Sequence, residues 1–358
     1  MFDRIEVKRF RGITSLDAGP LARVNIFTGR NGSGKTSVLE AVLVLGNYTS
    51  PHSLLNLSQH RDMPLPSLQF DIPLRSYFYN MDPDPANAPI LTAEVRGERR
   101  ELEIGAIFGA PREVSAQPEG ESGQAPLLGS VTPDQMAGVQ FKLTSRPETR
   151  GGRIVLQPHG SQIVAGSGAP ANQKGAFFVD SRRMTSIAET AEILTRLIQN
   201  RRIEELYNLL QSVSPKVKSL SPGLRGGQPI ILADVGGPTL LPIQLLGDGF
   251  CRACLIGAGL VGSGSELLVV DEIDSGLHHS VIKPFWEVVA SLGRSLGVQV
   301  FCTTHNDEMI GAAVAAFENC PNDLAVFRLD RNAAGNHRAV RYDYERLLAA
   351  DKLQVEVR

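Results

Sequence analysis

A chain of 358 residues with 42% hydrophobic content carries enough apolar mass for about two domains with real cores, which excludes a disordered or fibrous polymer. Its formal net charge of −2, from 36 basic and 38 acidic side chains, excludes a global pull toward nucleic acid, so any such contact has to come from a local patch. The four cysteines, Cys251, Cys254, Cys302 and Cys320, are too few for a disulfide framework and are expected within helices or strands. The spacing of Cys251 and Cys254 suits one face of a buried helix better than half of a zinc site that lacks its second pair.

The opening Met1-Phe2-Asp3-Arg4-Ile5-Glu6-Val7 alternates like an edge strand and lacks the apolar centre of a signal peptide, so the expected location is the cytoplasm. Val24 to Thr28 reads as a strand and leads into Gly29 to Thr36, GRNGSGKT, a complete G-x-x-x-x-G-K-[ST] loop, followed by a helical pattern through Leu45. A glycine-rich turn of this kind points successive backbone N–H groups at a polyphosphate. The expected nucleotide-binding set is therefore Gly29, Asn31, Gly32, Ser33, Gly34, Lys35, Thr36 and Ser37, with Lys35 as a mobile positive charge and the Thr36 hydroxyl as a Mg²⁺ ligand. ATP and Mg²⁺ are the expected cofactors.

Between about Tyr48 and Ala176 the strand-like runs Ile90 to Val95, Val139 to Thr144 and Arg153 to Leu156 are split by segments rich in Pro, Gly, Ser and Glu. Gly109 to Gly129 reads as a mobile loop, and Asp82-Pro83-Asp84 as a surface turn rather than a metal-binding D-x-D. Ser186 to Glu189 is a capping box opening a helix whose apolar positions Ile187, Ala191, Leu194 and Ile198 share a face, continuing with a break to Leu210. The expected organisation is an α/β core made of residues 1–47 and 214–358, interrupted by a β-rich and helical lobe at 48–213. Arginine pairs at Arg99-Arg100, Arg182-Arg183 and Arg201-Arg202 are candidates for a partner or phosphate-backbone surface. No apolar run reaches membrane-spanning length, so no membrane partner is expected.

In the second half, Leu246-Gly247-Asp248-Gly249-Phe250-Cys251-Arg252 is a glycine turn entering a helix, which makes an anion site through its free N–H groups. Leu267 to Val270 is a continuous apolar run, as in a strand covered on both faces, and it ends in Asp271-Glu272. Asp271 is expected to order Mg²⁺ and Glu272 to polarise the attacking water. Val298 to Cys302 forms another buried strand ending in Thr303-Thr304-His305, where His305 is expected to sense the γ-phosphate. The expected catalytic set is Lys35, Glu272 and His305.

At these residues the chain resembles the ATP-binding-cassette (ABC) ATPases. Within them it is most similar to the soluble branch of RecF, the chromosome-maintenance proteins and the overcoming-lysogenisation-defect (OLD) nucleases, closest to the OLD-like AAA family ATPases of phage-defence operons. The likeness runs through Arg9-Phe10-Arg11-Gly12, the phosphate loop, Leu74 to Asn80, Asp180-Ser181-Arg182-Arg183, the glycine turn and Leu268 to Ser280. It implies a P-loop head with a mixed sheet, acting as a homodimer. Leu246 to Arg252 stands where transporters carry LSGGQ, so Gly247, Asp248 and Gly249 would close over ATP held by the partner, and Asp274 to His278 would cross the dimer interface. Arg11 would contact the nucleotide, and Gln59, with Gln69 behind it, would couple Mg²⁺ to the lobe. Asp248 departs from the pattern: a carboxylate facing a γ-phosphate must turn away or be compensated by Arg252. About fifty residues follow His305, too few for the Toprim nuclease domain of the OLD enzymes. The resemblance therefore implies control of a separately encoded nuclease or toxin-like effector, in phage defence or DNA maintenance. A RecF-like DNA-binding repair ATPase, with nucleic acid as ligand, and a transporter's nucleotide-binding subunit stand as alternatives.

Overall fold

The computed structural model describes residues 1–47, 52–61, 63–64, 66–67, 70–108, 136–145, 148–157, 160–165, 175–180, 187–332 and 335–352. In chain order the first half holds β1 (Arg4–Phe10), β2 (Ile13–Ala18), β3 (Val24–Thr28), α1 (Lys35–Gly46), α2 (His52–His60), α3 (Ile72–Arg75), β4 (Ile90–Val95), β5 (Glu98–Phe108), β6 (Met136–Ser145), β7 (Glu148–Gln157), β8 (Gly160–Ala165) and β9 (Ala176–Val179). The second half holds α4 (Ile187–Gln199), α5 (Ile203–Val213), β10 (Ser219–Arg225), β11 (Gln228–Asp234), β12 (Leu241–Pro242), α6 (Asp248–Gly257), β13 (Leu267–Val270), α7 (His279–Leu296), β14 (Gln299–Thr303), α8 (Asp307–Ala316), β15 (Leu324–Arg331), β16 (His337–Tyr342) and α9 (Tyr344–Lys352).

A six-stranded sheet in the order β16-β15-β3-β14-β13-β9 forms the centre. Strands β15, β3, β14, β13 and β9 run parallel, and β16 is antiparallel, which makes the sheet mixed. Its strands are apolar on both faces because each face packs against a separate core. Val24, Ile26, Leu268, Val270, Val300 and Cys302 point to the helical side, where α5, α6 and α7 cover them. Their neighbours Phe27, Leu267, Val269 and Phe301 point the other way, onto α1 and a second sheet. This is the period-2 alternation of a strand sorting residues between two interiors. Helix α1 is buried along nearly all its length, from Lys35 to Gly46 apart from Thr36, and a helix covered on every side can only sit inside a molecule.

The second sheet is antiparallel, in the order β2-β1-β4-β5-β6-β7-β8. It corrects two expectations. Strand β1 is not an edge strand, since it pairs with β2 on one side and β4 on the other, and alternation alone does not distinguish an edge from an interior strand. The division into 1–47 and 214–358 against 48–213 also fails as a description of the sheets. β1 and β2 share a sheet with β4 to β8, while β9, α4 and α5 from the expected lobe join the central sheet and its helical core. The remaining sheet is the small β10-β11-β12.

Helices α4 and α5 reproduce the interrupted helix read from the periodicity, with the break at 200–202. Gly109 to Gly129, Ser186, Arg182-Arg183 and Gln69 lie outside the described residues. Asp82 and Asp84 form a turn, with Asp82 accepting from the Asp84 N–H and the Asn87 amide, and Asp84 from the Ala86 N–H. Cys251 and Cys254 are free and buried on α6, and burial pushes the Cys251 thiol up to about 11. Cys320 departs from the expected placement, lying between α8 and β15. Among the described residues no group of three or more His, Cys, Asp or Glu could hold a metal, and no helix is long and apolar enough to cross a membrane.

Candidate nucleotide-binding site

The loop from Gly29 to Gly34 joins β3 to α1, and its glycines are there for backbone reasons. Gly29, Gly32 and Gly34 hold φ of 133°, 78° and 94°, values that L side chains rarely adopt. Gly29 is also sterically closed: a Cβ there would lie 2.5 Å from the Leu329 carbonyl oxygen. Lys35 is buried and folds back on its own loop, donating to the carbonyls of Gly29 at 2.8 Å and Arg30 at 3.0 Å. Burial lowers its pKa, an effect opposed by the charges of Asp271 and Glu272.

Because β14 lies between β3 and β13, the tips of three strands converge on the loop. The Asp271 carboxylate, at the end of β13, accepts from Thr303 Oγ1 at 2.6 Å and from Thr36 Oγ1 at 3.3 Å. Thr303 Oγ1 also accepts from the Glu272 N–H at 2.7 Å. Thr303 thus positions both carboxylate residues, a role that residue types alone did not single out. Glu272 is exposed and holds φ of 50°, a left-handed conformation that costs a non-glycine residue about 1–2 kcal/mol. His305 is half-buried, and its pKa is lowered by burial and by Lys35 against the raising effect of Glu272, Asp274 and Asp271. The imidazole is therefore biased toward its neutral form.

A cavity of about 610 Å³ joins these groups, lined by Asn31, Gly32, Gly34, Lys35, Thr36, Ser37, Asp271, Glu272, Thr303 and His305. Ser33 is buried in the loop beneath. Sequence reasoning missed part of the opposite wall, where Arg61, Met63, Met81, Arg331 and His337 arrive from elements distant in the chain. Nothing in their local spacing marks them.

Arg11 reaches this cavity but not as a free cation. It is buried, forms an ion pair with Glu40 at 2.5 Å, donates to Ser76 Oγ at 2.9 Å and lies over the Tyr77 ring. Glu40 also takes a two-pronged pair from Arg61 at 2.7 and 2.9 Å. One carboxylate thus faces two guanidinium groups beside the phosphate loop. Gln59 lies on α2, and its side chain is outside the described residues.

The glycine turn is elsewhere. Gly247, Asp248 and Gly249 do not line the cavity, nor does Asp274, whose carboxylate accepts from Thr304 Oγ1 at 2.6 Å. Asp248 is exposed in the first turn of α6. Arg252 does not compensate it: this buried side chain donates to the backbone carbonyls of Asp180, at 2.9 Å, and Asp271. Gly249 packs directly on the loop after β13, where a Cβ would lie 2.1 Å from the Gly276 carbonyl oxygen. Gly249→Ala is expected to lower folding stability by about 1–3 kcal/mol through this overlap. Thermal unfolding checks it, and an unchanged transition would show that the two segments part freely.

Residues 168–311 match the family model described as "AAA domain, putative AbiEii toxin, Type IV TA system", a span that includes Asp271, Glu272 and His305. The chain is a P-loop ATPase. A Helicobacter pylori (strain ATCC 700392 / 26695) protein named ATP/GTP phosphatase is 21% identical over 336 residues, covering 87% of this ATPase and 86% of that protein. The DNA replication and repair protein RecF of Vibrio atlanticus (strain LGP32) is 51% identical over 53 residues, but this spans only 15% of either chain. Among solved structures, the SmcHead bound to the C-winged helix domain of ScpA superposes with a TM-score of 0.52 at 14% identity, covering 97% of this ATPase and 99% of that chain. That likeness establishes the head fold with its mixed α/β sheet.

Proposed function

We propose that this ATPase binds Mg²⁺-ATP in the 610 Å³ cavity and hydrolyses it between two protomers to switch a partner protein. The observation that carries the reading is the single Asp271 carboxylate spanning Thr36 and Thr303, with Glu272 beside it and Lys35 and His305 in the same cavity. Thr36 and Asp271 are hard oxygen donors of the kind Mg²⁺ accepts alongside phosphate and water, so the residues present fit that ion. When bound, the ion neutralises charge on the β- and γ-phosphates.

The loop N–H groups from Asn31 to Thr36 cradle the phosphates, and Lys35 exchanges its loop carbonyls for phosphate oxygens. Glu272, projecting from a strained backbone, accepts a proton from the attacking water. The neutral imidazole of His305 offers a hydrogen bond to the γ-phosphate. Gly247 to Gly249 and Asp274 stand outside this cavity, as they would if they completed the site of a second copy. ATP is then expected to drive the Glu272→Gln protein toward a dimer. Light scattering with and without Mg²⁺-ATP checks this, and equal masses with ATP bound would remove the composite site.

The partner is read as a nuclease or toxin-like effector, in line with the OLD-like resemblance. The SmcHead structure, an ATPase head seated with a separate protein domain, supports a partner of some kind. Arg201 remains the better surface candidate of its pair, since Arg202 is engaged by Glu205 at 2.8 Å, as Arg99 is by Glu101 at 3.1 Å. The local RecF likeness favours a second reading, a DNA-binding repair ATPase. Phosphate release measured with and without duplex DNA separates the two: stimulation by DNA that fades as salt rises selects the second.

A further inference from the structure

The hairpin of β15 and β16 sits beside β3 on the side away from β14 and β13, opposite to where Asp271, Glu272 and His305 enter. Its last ladder pair is Arg331 with His337, so the two side chains stand opposite each other on one face of the hairpin. Both line the cavity. The His337 ring rests on the phosphate loop, where a Cβ at Gly34 would lie 3.5 Å from its Cδ2. Its Nδ1 is buried with no hydrogen-bond partner, and the Arg331 guanidinium has neither an ion pair nor a hydrogen bond among the described residues. A buried ring nitrogen without a partner costs free energy that a bound ligand would recover. The hairpin turn is braced: Thr14 Oγ1 donates to the Gly335 carbonyl at 3.4 Å, and the Tyr79 hydroxyl lies nearby.

With hydrolysis chemistry at one end of the cavity, these two polar groups mark the other. The lining also includes Met63 and the exposed Met81, whose backbone holds a φ of 59°. Adaptable apolar side chains lining a cavity together with polar groups suit a nucleoside, not a further phosphate. We propose that Arg331 and His337 hold the ribose and base of the nucleotide, so that the β15–β16 hairpin makes the site select a nucleoside triphosphate over a bare polyphosphate. This rests on the ATP-site reading above and deepens it.

The experiment is calorimetric binding of Mg²⁺-ATP and of inorganic tripolyphosphate to the parent, Arg331→Ala, His337→Ala and the polar variant His337→Gln. Each alanine variant is expected to bind ATP about tenfold more weakly, as for loss of one strong hydrogen bond, with tripolyphosphate binding unchanged and His337→Gln partly restored. Arg331 is exposed, so its variant reports even if replacement of His337 disturbs the hairpin. Equal weakening of ATP and tripolyphosphate would make these residues phosphate ligands and overturn the assignment, as would unchanged ATP binding. A parent protein that binds neither compound would overturn the ATP-site reading itself.

Discussion

Lys35→Ala is expected to weaken ATP binding at least about 30-fold while leaving the fold intact, because truncating one partner of a desolvated charge contact costs roughly 2–5 kcal/mol. In the free protein the Lys35 ammonium bonds, among the described residues, to the carbonyls of its own loop, and burial already disfavours its charge. Its contribution to folding is therefore small, and its contribution to binding appears when phosphate replaces those carbonyls. Equilibrium binding of a fluorescent ATP analogue, paired with a circular dichroism melt, checks both halves. A variant that melts like the parent and binds ATP equally well would remove the loop from nucleotide recognition.

Glu272→Gln is expected to keep ATP bound and to slow turnover by about 10²–10⁴-fold, the usual contribution of a positioned general base. Glutamine preserves the side-chain shape and the Thr303 bond to the backbone N–H, so only the proton acceptor is lost. Single-turnover phosphate release, with binding measured in parallel, separates the two effects. Hydrolysis at the parent rate would assign the proton to another group. Thr303→Val offers a contrast: it removes the hydroxyl that accepts from the Glu272 N–H and donates to Asp271, so binding and turnover are expected to fall together.

The legible parts of this molecule are those whose geometry is local. Gly29 to Thr36 announces itself because a φ of 133°, 78° or 94° demands glycine at fixed positions, whatever packs around the loop. Leu267 to Val270 and Val298 to Cys302 read as doubly covered strands because apolar residues at consecutive positions must face two interiors, and the two cores lie there. The break between α4 and α5 is visible because hydrophobic periodicity fails at the polar residues 200–202.

What was misread depends on partners far along the chain. The alternation of β1 is equally that of an edge and an interior strand until β4, some eighty residues later, pairs with it. That pairing also undoes the expected lobe, since a sheet groups strands by hydrogen bonds and not by sequence interval. Arg11 lines the cavity, but its ion pair with Glu40 on α1 was not visible in the sequence. Charged residues are ordinarily solvated, so a buried Arg11–Glu40 pair leaves no pattern to find.

By itself, then, the sequence determined the phosphate loop, the acidic strand tip and the histidine that follows the next strand, because each is a short run whose residue types meet a local backbone or burial demand. The tertiary structure alone decided that β14 lies between β3 and β13, which lets one Asp271 carboxylate reach Thr36 and Thr303 together. It alone brought Arg331 and His337 to the opposite wall. The physical reason is that strand order and hairpin placement follow from which apolar faces bury one another across hundreds of residues, an outcome no short window of sequence contains.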